Sequence, residues 1–194
     1  MRLDHIAYRS ADRNKTASFF EECLGYSVAN EFNLEFGDGT TTKCIAMAPP
    51  EERHSLTPEW EVLLADKDEG SSGDLNFIPY HAPPEIFVSD GPKGSIVGDW
   101  VEERGGIGGI HHIAYHVDDV EKTMEEWKNK GFVEFYSEKP LTCEETKLVQ
   151  VFSKPSELTG VVYELINRSQ ANKGFCEKNV KALMESTKDD TERE

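Results

Sequence analysis

Residues 108–119 read Gly108-Gly109-Ile110-His111-His112-Ile113-Ala114-Tyr115-His116-Val117-Asp118-Asp119. Residues 3–16 read Leu3-Asp4-His5-Ile6-Ala7-Tyr8-Arg9-Ser10-Ala11-Asp12-Arg13-Asn14-Lys15-Thr16. The two stretches say the same thing. His5, Ile6, Ala7 and Tyr8 match His112, Ile113, Ala114 and Tyr115, and Asp12, Lys15 and Thr16 match Asp119, Lys122 and Thr123. Self-similarity at this spacing marks a duplicated structural unit and decides the fold. Each copy alternates as a strand does and stops at an acidic helix start. Ile110, His112, Ala114 and His116 fall on one face; His111, Ile113, Tyr115 and Val117 fall on the other. A histidine at the centre of a strand otherwise fit for burial needs a partner.

Outward from these stretches the plan repeats. Leu3–Ser10 reads as a strand, and Asp12 caps a helix over Arg13–Leu24 that Gly25 ends. Strands are expected at Tyr26–Phe36 and Thr41–Met47, around a Gly37-Asp38-Gly39 turn. Pro49 and Pro50 break the pattern. A polar loop, a short strand over Trp60–Ala65 and a second loop follow, then a strand at Glu85–Ser89 and a short helix at Ile96–Arg104. After the glycines at 105, 106, 108 and 109, strand Ile110–Val117 leads into helix Val120–Lys130, closed by Gly131. Strands Phe132–Ser137, Lys147–Ser153 and Val161–Asn167 complete the second copy, and Phe175–Ser186 forms a last amphipathic helix. The fold class is α+β: strand, helix and three strands, given twice, pair into one curled mixed sheet around a shared cavity, with a C-terminal helix added. The expected units are residues 1–104, with an insertion around 50–80 and a linker helix; 105–170, the second copy; and 171–194, the terminal helix and acidic tail. The tail after Leu183 is expected to fray.

The formal net charge of −16 opposes nucleic acid and anionic membrane surfaces as partners. No run approaches the ~20 apolar residues of a membrane span. The chain begins Met1-Arg2-Leu3-Asp4-His5 and enters a strand at once, so no signal peptide and a cytoplasmic location are expected. Cys23, Cys44, Cys143 and Cys176 show no CxxC or disulfide spacing and read as reduced thiols.

Equivalent residues of two paired copies face one cavity, which brings His5 and His112 together. Glu164 is a lone carboxylate in the apolar run Val162-Tyr163-Glu164-Leu165-Ile166, and a buried carboxylate must be paired, protonated or metal-bound. The first copy offers two candidates for its counterpart: Glu61, in Trp60-Glu61-Val62, and Glu85, in Pro84-Glu85-Ile86. Two imidazoles with one or two carboxylates suit Fe(II), Mn, Co, Ni or Zn. Lone strand histidines are more often core residues, but two at equivalent repeat positions beside Glu164 reverse that weighting. His111 is read as facing away from the cavity, His116 as near the strand's exposed end, His54 and His81 as loop residues, and Tyr8 and Tyr115 as packing residues.

His-Ile-Ala on a first strand, repeated, with Glu on a last strand, resembles the vicinal-oxygen-chelate superfamily of glyoxalases, epimerases and dioxygenases. The resemblance covers nearly the whole chain and implies paired βαβββ modules around one divalent metal. Glu85–Asp119 is similar to the linker and second-module start of methylmalonyl-CoA epimerase, which favours Glu85 over Glu61 and implies the ligand set His5, Glu85, His112 and Glu164. Tyr163-Glu164-Leu165-Ile166-Asn167-Arg168 resembles the last strand of 4-hydroxyphenylpyruvate dioxygenase. Gly174-Phe175 and Asn179-Val180-Lys181-Ala182-Leu183 resemble the helix that covers its active site, with Cys176 and Lys178 where that motif carries glycines. The chain has about the length of that enzyme's catalytic half, whose three ligands match His5, His112 and Glu164.

Three functions follow as expectations. In a non-haem Fe(II) dioxygenase acting on an α-keto acid, Glu164 completes the metal face and Phe175 with the final helix forms a lid. In a metal-dependent epimerase or lyase acting on an acyl thioester or related carbonyl compound, Glu85 is a fourth ligand or the proton-transfer base. A ligand-binding protein would use the cavity without chemistry. The terminal motif favours the first. The insertion around 50–80 is expected at the pocket mouth or at a subunit contact in a homodimer.

Overall fold

The computed structural model describes residues 1–50, 84–131, 133–168 and 174–188. The strand expected over Trp60–Ala65, together with His54, Glu61 and His81, lies outside the described residues. Eight strands are described: β1 (Arg2–Arg9), β2 (Ser27–Glu35), β3 (Thr41–Ala48), β4 (Glu85–Asp90), β5 (Gly109–His116), β6 (Leu141–Thr142), β7 (Val149–Phe152) and β8 (Val162–Asn167). They form one curled mixed sheet in the order β2-β3-β4-β1-β5-β8-β7-β6. Each half of that order mirrors the other, as the repeated sequence requires.

The halves meet where β1 and β5 pair antiparallel. Ile6 lies opposite Ile113, while His5 lies opposite Ala114 and Ala7 opposite His112. Since His5-Ile6-Ala7 and His112-Ile113-Ala114 are the repeated tripeptides, this register places a pseudo-two-fold axis between the two isoleucines. The axis carries each histidine onto the other and points both at one side of the sheet.

Helices α1 (Arg13–Leu24) and α3 (Val120–Lys130) cover the opposite face. Their ends are built alike from the repeated residues: Asp12 and Asp119 accept from the amides of Lys15 and Lys122, each at 3.0 Å. Gly25 and Gly131 close them in the left-handed conformation at φ 74°, which only glycine adopts without penalty. Ala17 and Phe20 of α1 pack on Ile45, Met47, Ile86 and Val88; Val120 and Met124 of α3 pack on Val151 and Leu165. The concave face instead receives the last helix, α4 (Glu177–Ser186), through Val180, Leu183 and Met184. Among the described residues no helix is long and apolar enough to cross a membrane.

Four expectations change. Phe132 lies outside the described residues, and residues 133–137 do not form the expected strand; Phe135 makes a single bridge to Ser153, and Leu141–Thr142 pairs with β7 instead, because Ser137 and Pro140 break the alternation. Helix Phe175–Ser186 starts at Glu177, after Cys176 as its N-cap. The chain stays ordered past Leu183, since the helix runs to Ser186 and Thr187 is buried and accepts a hydrogen bond from Arg9 Nη2 at 3.0 Å; the rest of the acidic tail, 189–194, lies outside the described residues. Cys143 and Cys176 are not reduced thiols but joined as a disulfide across 33 residues. Spacing along the chain did not report this pair, because α4 folding back over the sheet is what brings Cys176 to Cys143.

Helix α2 (Ile96–Glu103) links the halves, and Gly98 in its first turn permits the approach of the preceding loop. A Cβ there would collide with the Pro92 carbonyl. Gly→Ala in a helix ordinarily stabilises by about 1 kcal/mol; here Gly98→Ala is expected to lower the melting temperature. A higher melting temperature would show that the loop yields freely.

Candidate metal centre

Three buried side chains converge on the concave face. His5 Nε2 and His112 Nε2 are 3.3 Å apart, and Glu164 Oε2 lies 3.2 Å from each. Among the described residues this is the one group of three or more His, Cys, Asp or Glu side chains arranged to hold a metal ion. An ion about 2.0–2.2 Å from each donor would see this nearly equilateral triangle under angles of about 93–111°. That suits one face of an octahedron or of a tetrahedron, and the nitrogen-plus-carboxylate donor set suits Fe(II), Mn, Co, Ni or Zn. The residues fit a divalent cation.

Each donor is held from behind. The β1–β5 register slips between Leu3 and His5, and again between Ala7 and Tyr8. The extra residues are Asp4 on β1 and His111 on β5, which are the repeat-equivalent neighbours of the two histidines. A bulge places consecutive side chains on the same side of a strand. Asp4 Oδ1 therefore reaches His5 Nδ1 at 2.8 Å, and His111 Nδ1 reaches His112 Nδ1 at 2.9 Å. Strict alternation had sent His111 away from the cavity; the bulge turns it back. These contacts fix the ring orientations and aim both Nε2 atoms at the space they share with Glu164. Glu164 Oε1 accepts from Gln150 Nε2 at 2.6 Å, and Gln150 Oε1 accepts from Asn179 Nδ2 of α4 at 3.0 Å. Gln150 and Asp4 have no signal in the sequence, Asn179 appears there only as part of the terminal motif, and His111 is read as facing away; the bulges and the returning helix are what bring the four to the site.

Charge follows the geometry. Burial opposes a proton on His5, but the Glu164 carboxylate and the hydrogen bond to Asp4 outweigh it and raise its pKa to about 9. Burial would raise Glu164, yet His5 and His112 hold it well below the usual carboxylate range. His112 is lowered, burial outweighing Glu164. His111 is driven well below its ordinary value by burial and by Arg9, so it stays neutral and can accept from His112.

Glu85 stands apart from the three. It lies opposite His5 in the parallel β1–β4 pair and its Oε2 sits 3.3 Å from Arg168 Nη2. The counterpart of Glu164 is a different residue. Glu164 lies opposite Ala114, the repeat mate of Ala7, and Ala7 lies opposite Phe87. The place of a second carboxylate is thus taken by Phe87, and Glu85 is two residues nearer the rim. The linker resemblance that favoured Glu85 over Glu61 does not report this, since only the register tells Glu85 from Phe87. Phe175 closes the near side of the site, its ring 4.9 Å from those of both His5 and Phe87.

Two outcomes are expected. Glu164→Gln, which keeps the shape and removes the charge, should abolish stoichiometric metal binding, whereas Glu85→Gln should retain it; elemental analysis after dialysis decides. A proton and a metal compete for His5 Nε2, and below about 9 the proton is present, so metal affinity should rise by about tenfold per pH unit up to that value and then level off. Isothermal titration across pH reads this, and a flat profile would contradict the assigned charge on His5.

A model of the Glyoxalase/Bleomycin resistance protein/Dioxygenase superfamily matches residues 2–153. Among curated proteins no sequence match is found. In structure the chain is similar to a methylmalonyl-CoA epimerase, at TM-score 0.59 and 20% identity over 88% of this chain and 97% of that one. The epimerase from Mycobacterium tuberculosis gives TM-score 0.56 and 19% identity over 87% and 88%. A mutant of 4-hydroxymandelate synthase from Streptomyces coelicolor gives TM-score 0.70 and 17% identity over 97% of this chain and 54% of that one; the chain spans about half that enzyme's length. The chain belongs to the glyoxalase/bleomycin resistance protein/dioxygenase superfamily.

Proposed function

We propose that the protein is a non-haem Fe(II) dioxygenase resembling 4-hydroxyphenylpyruvate dioxygenase and acting on an α-keto acid. Members of its superfamily are mostly enzymes and typically bind a divalent metal. The observation that carries the finer reading is Phe87 at the position opposite Ala7. With a carboxylate there, four protein donors would crowd the ion; with phenylalanine, three donors occupy one face and the rest of the sphere is left to substrate and O2. When bound, Fe(II) supplies a place where a keto acid chelates and dioxygen is activated.

The chain's own residues bind, orient and shield. Asp4, His111 and Gln150 hold the donors so that little reorganisation is needed. Ala7, Phe87, Phe152, Phe175, Leu183 and Met184 line an apolar cavity on that face, which excludes water from reactive species. Its free space is about 20 Å³, close to that of one water. A substrate therefore enters only when Phe175 and α4 swing out, which makes them the lid. The likeness to 4-hydroxymandelate synthase takes in nearly the whole chain and supports this reading of the terminal segment.

The epimerase reading is supported by structural likeness and assigns Glu85 as ligand or base. Against it, Glu85 is engaged with Arg168. Oxygen consumption by the iron-loaded protein with a panel of aryl-pyruvates and other α-keto acids tests the choice. Glu85→Gln should keep turnover at a reduced rate, while Glu164→Gln should lose about 100-fold or more, beyond what supporting residues cost. Proton exchange at a substrate C–H without any oxygen uptake would replace the dioxygenase by the epimerase.

A further inference from the structure

Arg168 follows the last strand and touches four things at once. Its Nε and Nη2 donate to Asp4, at 3.1 Å to Oδ2 and 2.9 Å to Oδ1. Nη2 also reaches Glu85 Oε2 at 3.3 Å. Nη1 donates to the Gly174 carbonyl, at the entry to the terminal segment. The guanidinium lies 4.8 Å from the centroid of the Phe175 ring. Asp4 in turn fixes His5, and Phe175 packs on His5. The contacts close a loop from a donor of the metal site, through its orienting carboxylate and one arginine, to the ring that covers it.

We propose that Arg168 is a positioning residue that latches Phe175 and α4 over the three-donor site and couples their closure to the orientation of His5. This rests on the reading of that site as a metal centre. The guanidinium suits the task for three reasons. Its fork takes a carboxylate bidentately, its edge still has donors for a carbonyl, and its face stacks on an aromatic ring. Lysine supplies the charge without the fork or the plane. If Phe175 swings out, Arg168 loses the carbonyl and the ring together, and the guanidinium that holds Asp4 loses two of its restraints. The same contacts read in reverse: a metal that holds His5 in place holds Asp4 and Arg168, and so favours the closed lid. Such coupling is reciprocal by linkage.

The test uses the full-length protein under reducing conditions, so that the Cys143–Cys176 bond does not hold the lid by itself. Backbone hydrogen exchange is followed in Gly174–Ser186, with β3 and β7 as references, without and with Co(II); Co(II) affinity is measured by chelator competition. In the wild type Co(II) should slow exchange in Gly174–Ser186. In Arg168→Lys that segment should exchange at least about tenfold faster while β3 and β7 stay unchanged, Co(II) should no longer slow it, and Co(II) affinity should fall about 10–100-fold. Lys178→Ala removes another ion pair of α4, the exposed contact to Glu145 at 2.6 Å, and should change neither readout. Wild-type exchange in the lid of Arg168→Lys overturns the latch, as does acceleration spread evenly over β1, β8 and α4. Failure of Co(II) to slow lid exchange in the wild type overturns the coupling. Neither readout involves turnover: a protein that passes both and consumes no oxygen keeps the latch and loses the dioxygenase.

Discussion

The antiparallel pairing of β1 with β5 about Ile6 and Ile113 is the constraint on which the molecule depends. Two short β-rich modules each leave one strand edge unpaired, and joining those edges gives one continuous sheet. In a repeated sequence the join has a further consequence. Whatever residue one copy points into the concave face, the other points there too, from across the axis. His5 and His112 meet because their tripeptides are the same and run in opposite directions. Shifting the pairing by a single residue would turn one of them out toward the covering helices.

The axis also explains how the histidines are held. A bulge precedes each of them, at Asp4 and at His111, and each bulged side chain supports its neighbour's Nδ1. The supports differ in chemistry where the backbone does not. Asp4 is an anion and raises the basicity of His5; His111 is neutral and leaves His112 the weaker base. The copies diverge again at the third pair of positions, where one has Glu164 and the other Phe87. Duplication thus supplies a symmetric frame, and the departures from symmetry make it a three-donor face with one open, apolar side. Holding a carboxylate and two imidazoles within 3.3 Å of one another in a buried site is costly unless a cation joins them, either a proton on His5 or a metal ion.

Much of this was legible in the sequence, and the boundary is instructive. The repeat predicted the sheet, its halves and the meeting of His5 with His112, because side-chain alternation and repetition act locally. Asp12, Gly25, Asp119 and Gly131 announced the two outer helices through their own backbone needs. Glu164 stood out as a charge among apolar neighbours. Three features did not show. Bulges leave no mark in alternation, so His111 was placed on the wrong side. The exchange of carboxylate for Phe87 depends on strand register, and Glu85, two residues away on the same face, looked the better candidate. Cys143 and Cys176 come together only when α4 folds back, an event set by Val180, Leu183 and Met184 rather than by cysteine spacing.

The central claim is that His5, His112 and Glu164 present three protein donors, and no more, to one divalent ion. X-ray absorption spectroscopy of the Fe(II)-loaded protein tests it most directly. The account predicts a first shell with two imidazoles and one carboxylate, the remaining positions filled by water and displaced when an α-keto acid is added. A shell with a second carboxylate, or a spectrum unchanged by replacing His112 with alanine, would contradict it.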